Sequence, residues 1–322
     1  MLGRGQCGAH ITLIFTIEDS NLDPLEQGSR GAGLCLDDGV EAIAKGEEGG
    51  GSLAVRFLDG DHDSAMYEEV LKALTDEIGR AGEVDWELSI RMALPPSQGF
   101  GMSASGAIAA AISFQRAIGI PHEECLRRSF KIAHLVERIR SSGLGDTTAL
   151  SSGGVERRLV AGSPYHGDLL DHGPGVSEGW SCGTPVLLCW RTETGTLTSG
   201  YIDEPGWKKA ISEAGEGCMQ GIGSGEWDVI RWGELLESSR LFAAESGLEK
   251  DASRSEIINN VNGAISEYGL SGKAEGLLCM LGESVVVVPK DPNSKGEWMD
   301  ALSEALREAG LSSFPSRVGR LM

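Results

Sequence analysis

The chain has 322 residues, with 28 Lys plus Arg against 48 Asp plus Glu, so its net charge is −20. Such an acidic balance excludes the basic face that sequence-independent nucleic-acid binding or docking on an anionic membrane needs. With 40% hydrophobic and 24% charged residues it has the make-up of a soluble globular protein, long enough for two domains or one large one. Residues 11–17 read as a strand and not as a signal peptide, because they run into Glu18 and Asp19 with no small-residue cleavage site. Residues 52–58 alternate as a second strand ending at Asp59-Gly60, and 64–80 carry Leu71, Leu74 and Ile78 at helical spacing. Residues 86–94 form a strand that stops at Pro95-Pro96. Residues 107–118 are apolar nearly all round, with Arg116 the single charge, which predicts a buried helix closed by Gly119. Pro121 opens another helix, with Glu123 and Glu124 in its first turn, running to about Arg140. The Gly-, Pro- and Asp-rich stretch 162–185 predicts a boundary between domains 1–175 and 176–322. Beyond it are expected a hairpin of 185–191 and 196–202, helices at 229–246 and 254–267, a hairpin of 277–281 and 284–288, and a last helix at 294–309. Strands and helices segregated in this way suggest an α+β sandwich.

The 7 cysteines are scattered and include no CxxC pair, which fits a reducing cytoplasm and no disulfide scaffold. A homodimer is expected only because C2 dimers are the commonest assemblies.

Three places carry residue types suited to chemistry. Gly99-Phe100-Gly101-Met102-Ser103 lies between a Pro-terminated strand and the buried helix. Glycines there let backbone N–H groups approach an anion, and the helix N-terminus adds positive potential. The alternative is a Gly-rich turn with Ser103 as a helix cap. The spacing also matches G-x-G-x-x-A, but no acid ends a strand about 20 residues on, as a dinucleotide fold requires. No P-loop occurs, and Ser105 stands where the second Gly of G-x-S-x-G belongs. Glu137 continues the apolar stripe Leu126, Phe130, Ala133, and an inward carboxylate is costly unless paired or metal-bound. It either pairs with Arg140 or serves a site, and His134 one turn earlier and Asp146 nine residues later favour the site. Asp146 sits in a glycine-bracketed loop suited to presenting an acid or base; the competing view is a turn Asp capping Thr148. A further cluster around Ser29 and Arg30 offers a hydroxyl and a guanidinium, or is a surface loop before a strand.

Together these segments resemble the GHMP kinases. Residues 95–104 are similar to that family's phosphate loop P-x-x-x-G-L-G-S-S-A, with Met102 in place of the first Ser. Gly8-Ala9-His10-Ile11 is similar to its first motif, without the Pro, and 273–282 occupy the place of a degraded third motif. The departures resemble the archaeal branch that phosphorylates pantoate on the route to coenzyme A. The resemblance implies a two-domain α+β fold, with an N-terminal ribosomal-protein-like domain and a C-terminal ferredoxin-like sandwich. It implies ATP phosphates held by Gly99, Phe100, Gly101, Met102, Ser103 and Ala104, Mg2+ held by Ser103 and Glu137, and Asp146 as the base. The primary hydroxyl of pantoate would be phosphorylated. Arg158 is the first choice for its carboxylate, with Ser29 and His134 beside it and Arg30 and His10 as further choices. The rival readings are a family member acting on mevalonate or homoserine, a dinucleotide-dependent oxidoreductase, and a non-catalytic nucleotide-binding module.

Overall fold

In the computed structural model, which describes residues 1–60, 62–191, 204–280 and 282–319, the first half is organised around one long strand. That strand, β2 (Gly31–Glu48), pairs antiparallel with β1 (Leu2–Phe15) over nearly its whole length. It also pairs with β4 (Val84–Met92) through 40–48 and with β5 (Val155–Val160) through 31–34. β3 (Leu53–Phe57) and β8 (Val176–Trp180) close the edges of this six-stranded sheet. The β1–β2 register shifts between Gly8 and His10 and again between Thr12 and Ile14. Irregularities of this kind re-aim side chains, and His10 and Thr12 end up beside the cleft described below.

Helix α1 (Ala65–Glu77) joins β3 to β4. Helix α2 (Met102–Ala117) is almost wholly buried against β1 and β2, as its all-round apolar sequence requires. Helix α3 (His122–Ile139) packs on α2, and the short α4 (Asp146–Ser152) leads into β5. A two-stranded ribbon, β6 (Tyr165–His166) and β7 (Asp171–His172), precedes β8.

The second sheet has the order β10-β11-β9-β12 and is antiparallel throughout. Its strands are β9 (Pro185–Trp190), β10 (Ala274–Cys279), β11 (Ser284–Pro289) and β12 (Ser312–Arg317). Helices α5 (Pro205–Ile222), α6 (Trp232–Glu245), α7 (Ala252–Glu267) and α8 (Met299–Glu308) complete this half. One hydrophobic core runs through both sheets, from Ile11 and Leu13 to Val285–Val288.

The mixed α+β architecture is as the sequence suggests, with three corrections. The expected boundary at 175/176 falls too early, because β8 hydrogen-bonds to β5 in the first sheet and the second sheet starts at Pro185. The first strand begins at Leu2 and not at residue 11. The sequence reading also passed over β2 and α5. The expected strand 196–202 lies outside the described residues.

Candidate active site

A cleft of about 510 Å³ opens between the start of α2, the α3–α4 connection and the inner ends of β1 and β5. Phe57, Met66, Tyr67 and Met92 line it together with His62, Asp63 and Arg140, residues 99–103 line it at the start of α2, and Thr12, Ser29, Arg158, Phe15 and Met280 line it as well.

The turn before α2 has Gly99 at φ 78° and Gly101 at φ 59°, left-handed conformations that side chains other than glycine strain to adopt. A Cβ on Gly101 would also stand 3.0 Å from the His10 backbone oxygen, so the turn lies directly on β1. The His10 N–H donates to the Phe100 carbonyl at 3.1 Å, fixing that approach. Helix α2 starts at Met102, so Ser103 lies inside its first turn and does not cap it. Gly99, Phe100, Gly101, Met102 and Ser103 face the cleft, whereas Ala104 is buried behind them.

Glu137 ends the apolar stripe of α3 and is 3% exposed. Ser142 Oγ donates to its Oε1 at 2.7 Å, Ser103 is a second hydrogen-bond partner, and Oε2 is buried without one. Arg140, its anticipated ion-pair partner, turns instead to Glu69 at 2.9 Å. Burial, followed by the charge of Asp146, pushes the Glu137 carboxyl up to about 7. Asp146 is the first residue of α4, not part of a free loop, and 18% of its side chain is exposed. A Cβ on Gly143 would stand 2.0 Å from Glu137 Oε2 and 3.0 Å from Asp146 Oδ2, so a bare glycine lets the two carboxylates converge.

Behind Asp146 runs a buried chain of alternating charge. His10 Nδ1 lies 2.6 Å from Asp146 Oδ1, and Nε2 lies 3.0 Å from Glu156 Oε1. Arg158 Nε faces Glu156 Oε2 at 3.6 Å, and its other end donates to the Ile14 carbonyl at 2.9 Å. Burial alone would lower the basicity of His10, but the hydrogen bonds and charges of the two carboxylates outweigh it and raise its pKa. Burial works against ionised Asp146, but the bond to His10, its charge and that of Arg158 hold the carboxyl below its usual range.

The sequence-selected substrate residues divide. Ser29 and Arg158 line the cleft, although Arg158 is 1% exposed and already committed to Glu156 and Ile14. His10 lies behind Asp146 and does not line the cleft. Two expectations are corrected. His134 does not face the cleft: Nε2 approaches the carbonyls of Pro24 and Gln27 at 3.2 and 3.0 Å, and Nδ1 meets Thr147 Oγ1 at 3.0 Å. Burial pushes its pKa down to about 4 and keeps the ring neutral. Arg30 also turns away, pairing with Glu216 at 2.7 Å. Glu156 escaped the sequence reading. Its one visible signal was the run Glu156-Arg157-Arg158 in a short strand, which puts 156 and 158 on the same face.

Residues 65–154 match the family model for the GHMP kinases N terminal domain. The turn 99–103, Glu137 and Asp146 all fall inside the matched stretch, whereas His10, Glu156 and Arg158 are brought in from outside. A pantoate kinase of Thermococcus kodakarensis is 30% identical over 169 residues, 51% of this chain and 54% of that one, so the chain spans about half the length of this relative. Among solved structures, a phosphotransferase related to the CoA biosynthesis pathway superposes with a TM-score of 0.77 at 23% identity, covering 100% of this chain and 98% of the other. MDDEF in complex with MVAPP, AMPPCP and magnesium superposes at 0.64 with 15% identity, covering 100% and 99%. The fold shared with these structures therefore extends across both halves.

Proposed function

We propose that the protein is an ATP-dependent kinase that phosphorylates the primary hydroxyl of pantoate, giving 4-phosphopantoate and ADP, in the cytoplasm. The observation that carries this reading is the convergence of Glu137 and Asp146 on Gly143, in the wall of the cleft that the N-terminal turn of α2 also lines. That turn offers backbone N–H groups and the positive end of a helix to a chain of phosphates. Among the lining residues, Phe57 and Met92 suit a flat base, Arg158 and Ser29 the acceptor's carboxylate and hydroxyl, and Phe15 and Met280 its methyl groups.

Mg2+ fits the residues present. Glu137 Oε2 is a buried acceptor without a partner, the Ser103 hydroxyl is close to it, and both are the hard oxygen donors this ion takes. Bound there with the nucleotide, it would neutralise phosphate charge. Asp146, kept ionised by His10, orients the acceptor hydroxyl and accepts its proton on Oδ2. The hydroxyl oxygen bonds to the γ-phosphorus as the bond to the ADP oxygen breaks. No described helix is long and apolar enough to cross a membrane.

The test is ADP release from ATP and magnesium with pantoate, mevalonate and homoserine supplied separately, run beside Asp146→Asn. Turnover with pantoate alone is expected, lowered about 10²- to 10⁴-fold in the variant with ATP affinity unchanged. Turnover with another alcohol, or a fully active Asp146→Asn, would overturn the reading.

A further inference from the structure

Glu156 does not line the cleft, yet it is 0% exposed and faces two basic side chains with its two oxygens. Oε1 meets His10 Nε2 at 3.0 Å, and Oε2 has only the Arg158 ion pair at 3.6 Å. An imidazole donates from both nitrogens only when it is protonated on both, and His10 is held between two carboxylates. Its other neighbours do not compete for that charge. Thr12 Oγ1 lies 3.4 Å from Nδ1, and Cys35, opposite on β2, has its thiol pushed well above the ordinary range by burial and then by Glu156.

We infer that Glu156 is a positioning residue for the phosphoryl transfer proposed above: acting through His10, it fixes Asp146 Oδ1 and thereby aims Oδ2 at the acceptor hydroxyl. The inference rests on that reading of the reaction. With residue 156 neutral, His10 is free to lose the proton on Nε2, and its remaining Nδ1–H bond to Asp146 Oδ1 is no longer strengthened by charge. Asp146 is then held by a neutral donor, so it turns more freely and Oδ2 is aimed less well at the hydroxyl. During transfer the incoming proton settles on Oδ2, while Oδ1 keeps its bond to His10. Glu156 and His10 start and finish unchanged.

Glu156→Gln keeps the size of the side chain and one acceptor oxygen but removes the charge. In the ADP-release assay its kcat is expected to fall on the order of 10- to 100-fold, with KM for ATP and for the acceptor nearly unchanged, because only alignment is lost. Glu156→Asp should recover part of the loss. A purely structural ion pair would instead lower the melting temperature and leave kcat per folded molecule intact. A second arm needs no variant. In wild-type protein labelled with 15N-histidine, one of the 6 rings is expected to be doubly protonated at pH 8. If every ring is neutral at pH 8, or if Glu156→Gln turns over like wild type, the positioning role is overturned. If the wild type phosphorylates no acceptor, the reaction itself has been misread, and the positioning role falls with it.

Discussion

Two buried side chains three residues apart on one helix respond to pH in opposite ways. Glu137 is raised to about 7, so the folded state binds a proton that the unfolded state does not yet bind. From about pH 7 down to the ordinary carboxylate range, this group therefore adds stability as pH falls. His134 is lowered from 6.5 to about 4, so between those values the unfolded chain takes up the proton first and stability is lost as pH falls. The shift corresponds to about 3 kcal/mol across the window. His134→Gln removes the histidine slope and leaves that of Glu137 in both proteins. The stability advantage of wild type over the variant, measured by urea unfolding, is expected to shrink by about 3 kcal/mol between pH 7 and pH 4. A constant difference would show that His134 does not titrate in this way.

At the scale of elements, α3 has two jobs. Glu137 sits buried behind Ser142 and Gly143 of the cleft wall, while His134 and Arg138 turn to the segment around Pro24–Glu26, with Arg138 Nε donating to Gln27 Oε1 at 3.1 Å and one terminal nitrogen to the Gly143 carbonyl at 2.9 Å. The helix thus holds both the segment around 24–27 and the connection that leads into α4. The turn before α2 is held as tightly: Gly101→Ala places a methyl against His10 and forces a left-handed φ on alanine. It is expected to cost about 1–3 kcal/mol in stability and to raise KM for ATP more than it lowers kcat. Much of this was legible in the sequence. The stripe ending at Glu137 and the Gly99–Gly101 spacing are local patterns; the glycine turn lines the cleft, and Glu137 lies buried beside Ser142 and Gly143 of its wall. β2 was not legible, because Gly31, Gly33, Gly39 and Gly46 with Asp37-Asp38 read locally as turns, and only pairing with β1, β4 and β5 makes them a strand. α5 was missed for a similar reason. Its glycines lower helix propensity, yet a Cβ on Gly215 would stand 2.3 Å from the Phe15 carbonyl. His134 was misplaced because helical spacing tells which residues share a face, not which neighbouring loop that face meets.

For the molecule as a whole, the two sheets are stitched together and not merely adjacent. Met280 N–H donates to the Thr12 carbonyl at 3.0 Å, and Gly319 N–H to Cys35 at 2.8 Å. Ser316 Oγ donates to Asp38 at 2.7 Å, and the core is shared. Thermal unfolding is therefore expected as one transition, coincident by tryptophan fluorescence and far-ultraviolet circular dichroism. Two separated transitions would show independent halves. The stitching also reaches the phosphate turn. Gln98 Nε2 donates to the Arg191 carbonyl, Ser284 Oγ donates to the Gln98 carbonyl, and a Cβ on Gly99 would stand 2.9 Å from Gly282 N. On the ribosome, the nascent chain emerges with His10, Ser103, Glu137, Asp146 and Glu156 long before these clamps exist. The groups of the candidate site are thus synthesised early, and the turn before α2 is clamped only when β11 docks. A half-made chain carries those groups without the vice that holds the turn, so the finished turn is a late product of translation.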